Sequence, residues 1–210
     1  MKKMSLIAAL LIVLTLSACG QKTQTTPPVE EQTNQAATAP DQSTATSGQG
    51  DRNPTAEELG RTETMELEFM SGEQKETVPA TLYIGQGYSL YVPDTGWRLE
   101  KDMDDGIPVE VWESTLNNDV EFAVSHYSGI SASEAVTAFL NDHDDYVFQD
   151  LQSGGEVKEP LVGVDDDNDV LKFITREGNG TAYIVSWEYR QGAENFDAQL
   201  EQIVRTFEVM

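Results

Sequence analysis

Val170-Leu171-Lys172-Phe173-Ile174-Thr175 and Thr181-Ala182-Tyr183-Ile184-Val185-Ser186-Trp187-Glu188-Tyr189 read as two strands joined by a loop with Gly178-Asn179-Gly180. Gly and Asn take positive φ at little steric cost, so Gly178-Asn179-Gly180 has the chemistry of a tight hairpin. Period two then sends Tyr183, Val185 and Trp187 to one face and Ala182 and Ile184 to the other. In the first arm Leu171 and Phe173 oppose Val170 and Ile174. Both faces of this hairpin are apolar, and such a sheet needs cover on both sides. The expected fold class is α+β, an antiparallel β-sheet covered by helices on both faces.

Two segments have helical spacing. Ser131-Ala132-Ser133-Glu134 is a capping box, followed by Ala135, Val136, Phe139 and Leu140. This predicts a helix ending near Asp142. A closing helix is expected over 193–207, with Phe196, Leu200, Ile203, Val204 and Phe207 on one stripe. Upstream, Met65, Leu67 and Phe69 alternate with Glu66 and Glu68. After a turn at Ser71-Gly72-Glu73-Gln74, Val78, Ala80, Leu82 and Ile84 alternate with polar neighbours. That predicts a hairpin with one polar face. Pro79 cannot donate to a ladder, which predicts an edge strand there. Further strands are expected at 88–92, 109–112, 120–127, 147–151 and 160–164.

Tyr88-Ser89-Leu90-Tyr91-Val92-Pro93, Gly96-Trp97, the Ser131 capping box, the hairpin and Thr206-Phe207 together resemble the PsbP-like α/β/α sandwich family over residues 88–209. That family opens on a strand ending in Pro-x-x-Trp; here one extra residue separates Pro93 from Trp97. Its members include bacterial lipoproteins, photosystem accessory subunits and a regulator of a nuclear transport factor. The resemblance implies non-catalytic binding with no shared active site and no cofactor.

At the other end, Lys2 and Lys3 precede an apolar run of 11 residues, 6–16, and then Ser17-Ala18-Cys19-Gly20. That is the layout of a secretory signal peptide. The run is shorter than the ~20 residues a membrane-spanning helix needs. Leu16-Ser17-Ala18-Cys19 resembles the bacterial lipobox, which implies a diacylglyceryl group on the Cys19 thiol and cleavage before it. The expected organisation is a lipoprotein signal peptide at 1–18, a lipid-anchored disordered linker at 19–61 and a sandwich domain at 62–210. The linker is rich in Gln, Thr, Ala, Ser and Pro and has too little apolar surface to offset its ordering entropy. As a coil of about 40 residues it would span roughly 35 Å. Thr55-Ala56-Glu57-Glu58-Leu59-Gly60 suits one helical turn closed by glycine.

The formal net charge of -24 repels phosphate backbones, so no nucleic-acid partner is expected. Cys19 is the sole cysteine, so the domain must stand on its core without an internal disulfide. Chemistry is sparse. His126 falls on a strand and His143 in the acidic segment Asp142-His143-Asp144-Asp145, with no zinc spacing between them. Asp165, Asp167 and Asp169 mimic the start of an EF-hand loop and are candidate calcium ligands. Position six is Val170 rather than Gly, however, and position twelve is Arg176 rather than Glu. Asp102, Asp104 and Asp105 form a similar cluster. Trp97, Trp112, Tyr127, Trp187 and Tyr189 suit a core or a groove.

The expected function is that of a monomeric, membrane-anchored extracytoplasmic binding or accessory module. Its partners would be the membrane, through the lipid on Cys19, and an envelope protein or wall component. The alternatives are a calcium-binding lipoprotein and an envelope hydrolase using carboxylates such as Glu110, Glu113 or Glu121. A perturbed carboxyl in a deep cleft would favour the hydrolase, and a shallow surface would favour binding.

Overall fold

The computed structural model describes residues 53–149 and 156–210. The signal peptide, Cys19, the linker up to residue 52, and residues 150 and 151 of the strand expected at 147–151 lie outside the described residues. The elements run β1 Thr64–Ser71, β2 Gln74–Ile84, β3 Tyr88–Pro93, β4 Trp97–Asp104, β5 Ile107–Ser114, β6 Val120–Ser128, α1 Ala132–Asp142, β7 Val147–Phe148, β8 Leu161–Val164, β9 Asp169–Gly178, β10 Thr181–Arg190, α2 Glu194–Arg205 and β11 Glu208–Val209. The strands form a four-stranded sheet, β1-β2-β3-β11, and a seven-stranded sheet, β4-β5-β6-β10-β9-β8-β7.

The expectation of helices on both faces is wrong on one side, and the fold is mostly β. The β9–β10 hairpin does lie inside the large sheet with both faces buried. Ala182, Ile184, Leu171 and Phe173 pack under α1 with Ala135 and Phe139. The opposite face, carrying Tyr183, Val185, Trp187, Phe122 and Val124, is covered by the small sheet through Leu67, Ala80, Tyr88 and Leu90, together with α2. The physical reason lies in the β1–β2 hairpin. Its single apolar face must be buried somewhere, and the spare face of the large sheet is the surface that takes it. Periodicity reports that a face is apolar, and it is silent on whether a helix or a sheet covers it.

Local signals explain most boundaries. Ser131 caps α1: its Oγ accepts from the Glu134 N–H at 3.3 Å, and the Glu134 carboxylate accepts from the Ser131 N–H at 2.9 Å. Asn179 and Gly180 take positive φ, 52° and 74°, in the β9–β10 turn. The strand β4 is absent from the sequence expectations. Asp105 and Gly106, at φ 46° and 87°, turn it directly into β5. An Asp-Gly pair between alternating residues is a strong hairpin signal; with Asp102 and Asp104 just before it, the segment reads instead as an acidic loop cluster. Pro79 also needs correcting, because β2 is an interior strand. Its ladder with β3 ends at Ala80↔Pro93, so the missing N–H falls one step past the partner.

Residues 53–61, read from composition as the end of the linker, lie against the domain. The Arg61 guanidinium donates to the carbonyl and Oγ of Ser89 at 3.2 and 2.8 Å and to the Thr206 carbonyl at 2.8 Å. It also stacks over the Tyr91 ring at 4.6 Å.

Candidate functional site

Two depressions flank the β4–β5–β6 end of the large sheet, one on each face. The face turned toward the small sheet carries a buried ionic cluster. Glu110, on β5, is 7% exposed. Its carboxylate accepts from the Tyr83 hydroxyl at 2.8 Å, from the Tyr88 hydroxyl, and from the Lys101 ammonium. Burial pushes its pKa up, but these three donors outweigh that and leave it below the ordinary carboxylate value. Tyr88 is shifted strongly upward, by burial first and then by the Glu110 charge. Two strands of the small sheet thus donate to a carboxylate on the large one, and the cluster ties the sheets together.

His126, beside this cluster on β6, has a buried Nε2 with no hydrogen-bond partner. Tyr88 and Tyr183 stand edge-on to its ring at 5.4 and 5.3 Å. Burial lowers its pKa, so the ring is neutral at pH 7. Neither group suits proton transfer. Glu110 has its lone pairs engaged, and the described residues place no nucleophile against His126.

The other face is different. Strand alternation places Ile107, Val109 and Val111 of β5, Glu121, Ala123, Ser125 and Tyr127 of β6, and Ser186 and Glu188 of β10 on the side α1 covers. The helix packs mainly over β9 and β10. Beyond it a cleft of about 210 Å³ remains, walled by Phe139, Asp142 and His143 and lined along β4 by Asp102 and Asp104.

Carboxylates gather at both ends of this cleft. Glu121 and Glu188 are cross-strand partners, and Glu113 sits opposite Glu121 on the next strand. Burial raises the pKa of Glu121, with Glu188 and Glu113 adding to it. Burial also raises that of Glu188, partly offset by a hydrogen bond from Tyr146. At the other end the Tyr127 hydroxyl is pushed up to about 12, by burial and then by the charges of Asp142 and Asp104. The cleft lining contains neither Lys nor Arg. Among the described residues, none of Asp102, Asp104, Asp142, Glu121 and Glu188 is in an ion pair.

Of the sequence candidates, the structure brings Glu121 into this cleft and buries Glu110 in the inter-sheet cluster. Glu113 pairs with Arg98 on the sheet surface. Asp165 shapes the β8–β9 loop, accepting from the N–H groups of Asp167 and Asp169 at 3.0 and 2.7 Å, and Asp169 pairs with Arg190 at 3.1 Å. Among the described residues, no three His, Cys, Asp or Glu side chains are placed to hold a metal ion. Trp112, Trp187 and Tyr189 are core, Trp97 packs at its margin, and Tyr127 lines the cleft. His143 ends α1, its ring stacked on Phe139 at 4.1 Å. Glu188, Ser186 and Ser125 are the residues sequence reading missed. Ser125↔Ile184 pairing brings the two β10 residues beside β6, and which strands become neighbours is not written in either segment.

No family model matches the sequence, and no curated protein is detectably similar to it. Among solved structures the chain is similar in fold to cyanobacterial PsbP (CyanoP) from Synechocystis sp. PCC 6803, at 13% identity over 62% of this chain and 92% of that one, with a TM-score of 0.44. A crystal structure from Bacteroides thetaiotaomicron VPI-5482 is similar at 13% identity over 61% of this chain and 48% of that one, TM-score 0.40. The Ran-binding protein Mog1p of Saccharomyces cerevisiae is similar at 12% identity over 59% and 90%, TM-score 0.38.

Proposed function

We propose that this chain is a lipid-anchored protein of the bacterial cell envelope whose folded domain acts by binding, with the acidic cleft beside α1 as its binding surface. The observation that carries the binding reading is the state of the carboxylates. The one carboxylate of the inter-sheet cluster, Glu110, is consumed by structure, whereas those of the cleft are left outside any ion pair. Net charge speaks to partners and association, and five of the carboxylates that make it line this cleft. The anchor rests on Leu16-Ser17-Ala18-Cys19 following a short apolar run. One acyl chain holds a protein on a bilayer only marginally and two hold it stably, so diacylation of Cys19 would suffice.

A second reading, acid–base catalysis, is favoured by one specific observation: Glu121 and Glu188 are adjacent carboxyls with raised pKa values in a cleft.

Growing cells on an alkyne-tagged fatty acid tests the anchor. The wild-type protein should carry the tag, and Cys19→Ser should carry none. A wild-type protein that takes up no tag, or a Cys19→Ser variant that keeps it, overturns the lipoprotein reading.

A further inference from the structure

The cleft has a feature that the charge count alone does not reveal. Ser125 and Ser186 are 7% and 8% exposed, and both line its floor. Among the described residues, neither hydroxyl has a hydrogen-bond partner. Both hydroxyl oxygens stay open to the cleft, where a ligand's donor can replace the water that reaches them. They sit between the two acidic ends. Glu121 and Ser125 are four residues apart on one strand, about 13 Å, and Tyr127 lies about 7 Å further on. The space between is floored by Val109, Val111 and Ala123.

From this geometry we infer that the cleft binds a linear aliphatic polyamine, with ammonium groups against Glu121 and Glu188 at one end and Asp102, Asp104 and Asp142 at the other, methylenes over the valines, and Ser125 and Ser186 accepting from an inner amine. The inference rests on the binding reading above and names its ligand class. The shared chemistry is a primary ammonium on an unbranched stem, and this could be supplied by a free polyamine or by a lysine side chain. Two separated acidic ends favour the free polyamine, because a lysine brings one charge and a backbone too bulky for about 210 Å³. A metal ion is the wrong occupant, since no three ligands converge. An aromatic or anionic ligand would face five carboxylates. Protonation of Glu121 and Glu188, favoured by their burial, would be reversed when ammonium groups enter, so binding should tighten as pH rises through their raised values. The groups facing that pair are Glu113, Asp165, Asp169, Tyr146 and His143.

Calorimetric titration of the full chain in detergent, at 0.15 M salt, with spermidine and with N-acetyl-lysine amide, tests this. Spermidine should bind at least tenfold more tightly than the lysine derivative. Glu121→Gln/Glu188→Gln and Asp104→Asn/Asp142→Asn should each weaken spermidine tenfold or more. Ser125→Ala/Ser186→Ala should weaken it several-fold. Glu63→Gln/Glu66→Gln removes the same charge from the exposed β1 region and should leave affinity unchanged. Thermal melting guards against misfolding, because the glutamine pair should melt no lower than wild type at pH 7. Four outcomes overturn the inference: no spermidine binding at millimolar concentration, tighter binding of the lysine derivative, equal loss in the β1 control, or retention in both cleft variants. None of these touches the fatty-acid labelling result, so failure here and failure of the anchored-protein reading are distinguishable. Substrate turnover abolished by either single glutamine substitution, with spermidine inert, would move the cleft to the catalytic reading.

Discussion

Glu110 shows how a residue can look catalytic in the sequence and be structural in the fold. A glutamate on a strand next to aromatic residues has the composition of an active site. Its role is set by Tyr83, Tyr88 and Lys101, which come from three other strands. None of that convergence is local, so no reading of the 109–112 segment reveals it. The consequence can be measured. Removing Glu110 leaves the buried Tyr88 hydroxyl without its acceptor, at a cost of about 1–3 kcal/mol, while the exposed Lys101 ammonium returns to water. Glu110→Ala should lower stability by that order in chemical denaturation, and Tyr88→Phe by about 1–3 kcal/mol. Unchanged midpoints would mean that the sheets are held by apolar packing alone. His126 should behave oppositely. Its Nε2 is already unpaired and its ring sits among Tyr88 and Tyr183. His126→Phe should therefore keep or raise the melting midpoint, and a loss of several degrees would show that the nitrogen has a hidden partner.

Among the elements, those with chemistry in their own sequence were legible, and those defined by their neighbours were not. The capping box at Ser131 and the Asn179-Gly180 turn appear where the residues predict them. Ser131→Ala should cost about 1 kcal/mol, since the cap satisfies an otherwise orphaned N–H; circular dichroism melts would register it. Strand β4 was lost because Arg98, Glu100, Lys101, Asp102 and Asp104 look like a solvated loop, and its pairing with β5 is what makes it a strand. This matters for the site, because the same pairing turns Asp102 and Asp104 toward the cleft. Lengthening the Asp105-Gly106 turn by one residue should shift the β4 register and send those two acids to the other face. A lower pKa at Tyr127, followed by its absorbance titration, would report their departure.

Across the whole molecule, the two faces of the large sheet respond to pH with opposite sign. Glu110 is held below its ordinary value of 4.5, so its stabilisation is present above that pH and fades as pH falls through the lower folded value. Glu121 and Glu188 are held above 4.5. Their protonated forms favour the fold, so that contribution is complete below 4.5 and is lost as pH rises through the raised folded values. Glu121→Gln/Glu188→Gln should therefore raise the melting midpoint at pH 7 and leave it unchanged at pH 4. A gain of equal size at both pH values would place the effect outside these carboxyls. The two-sheet architecture explains the division. One face is closed by a sheet that must be latched, and the other by a helix too short to cover it.

Backbone amide shifts of the domain during titration with spermidine test the binding surface most directly. The expected result is a set of shifts confined to 102–111, 121–127, 142–143 and 186–188, saturating together. Shifts centred on the small sheet, or spread evenly over the acidic surface without saturation, would contradict a binding cleft beside α1.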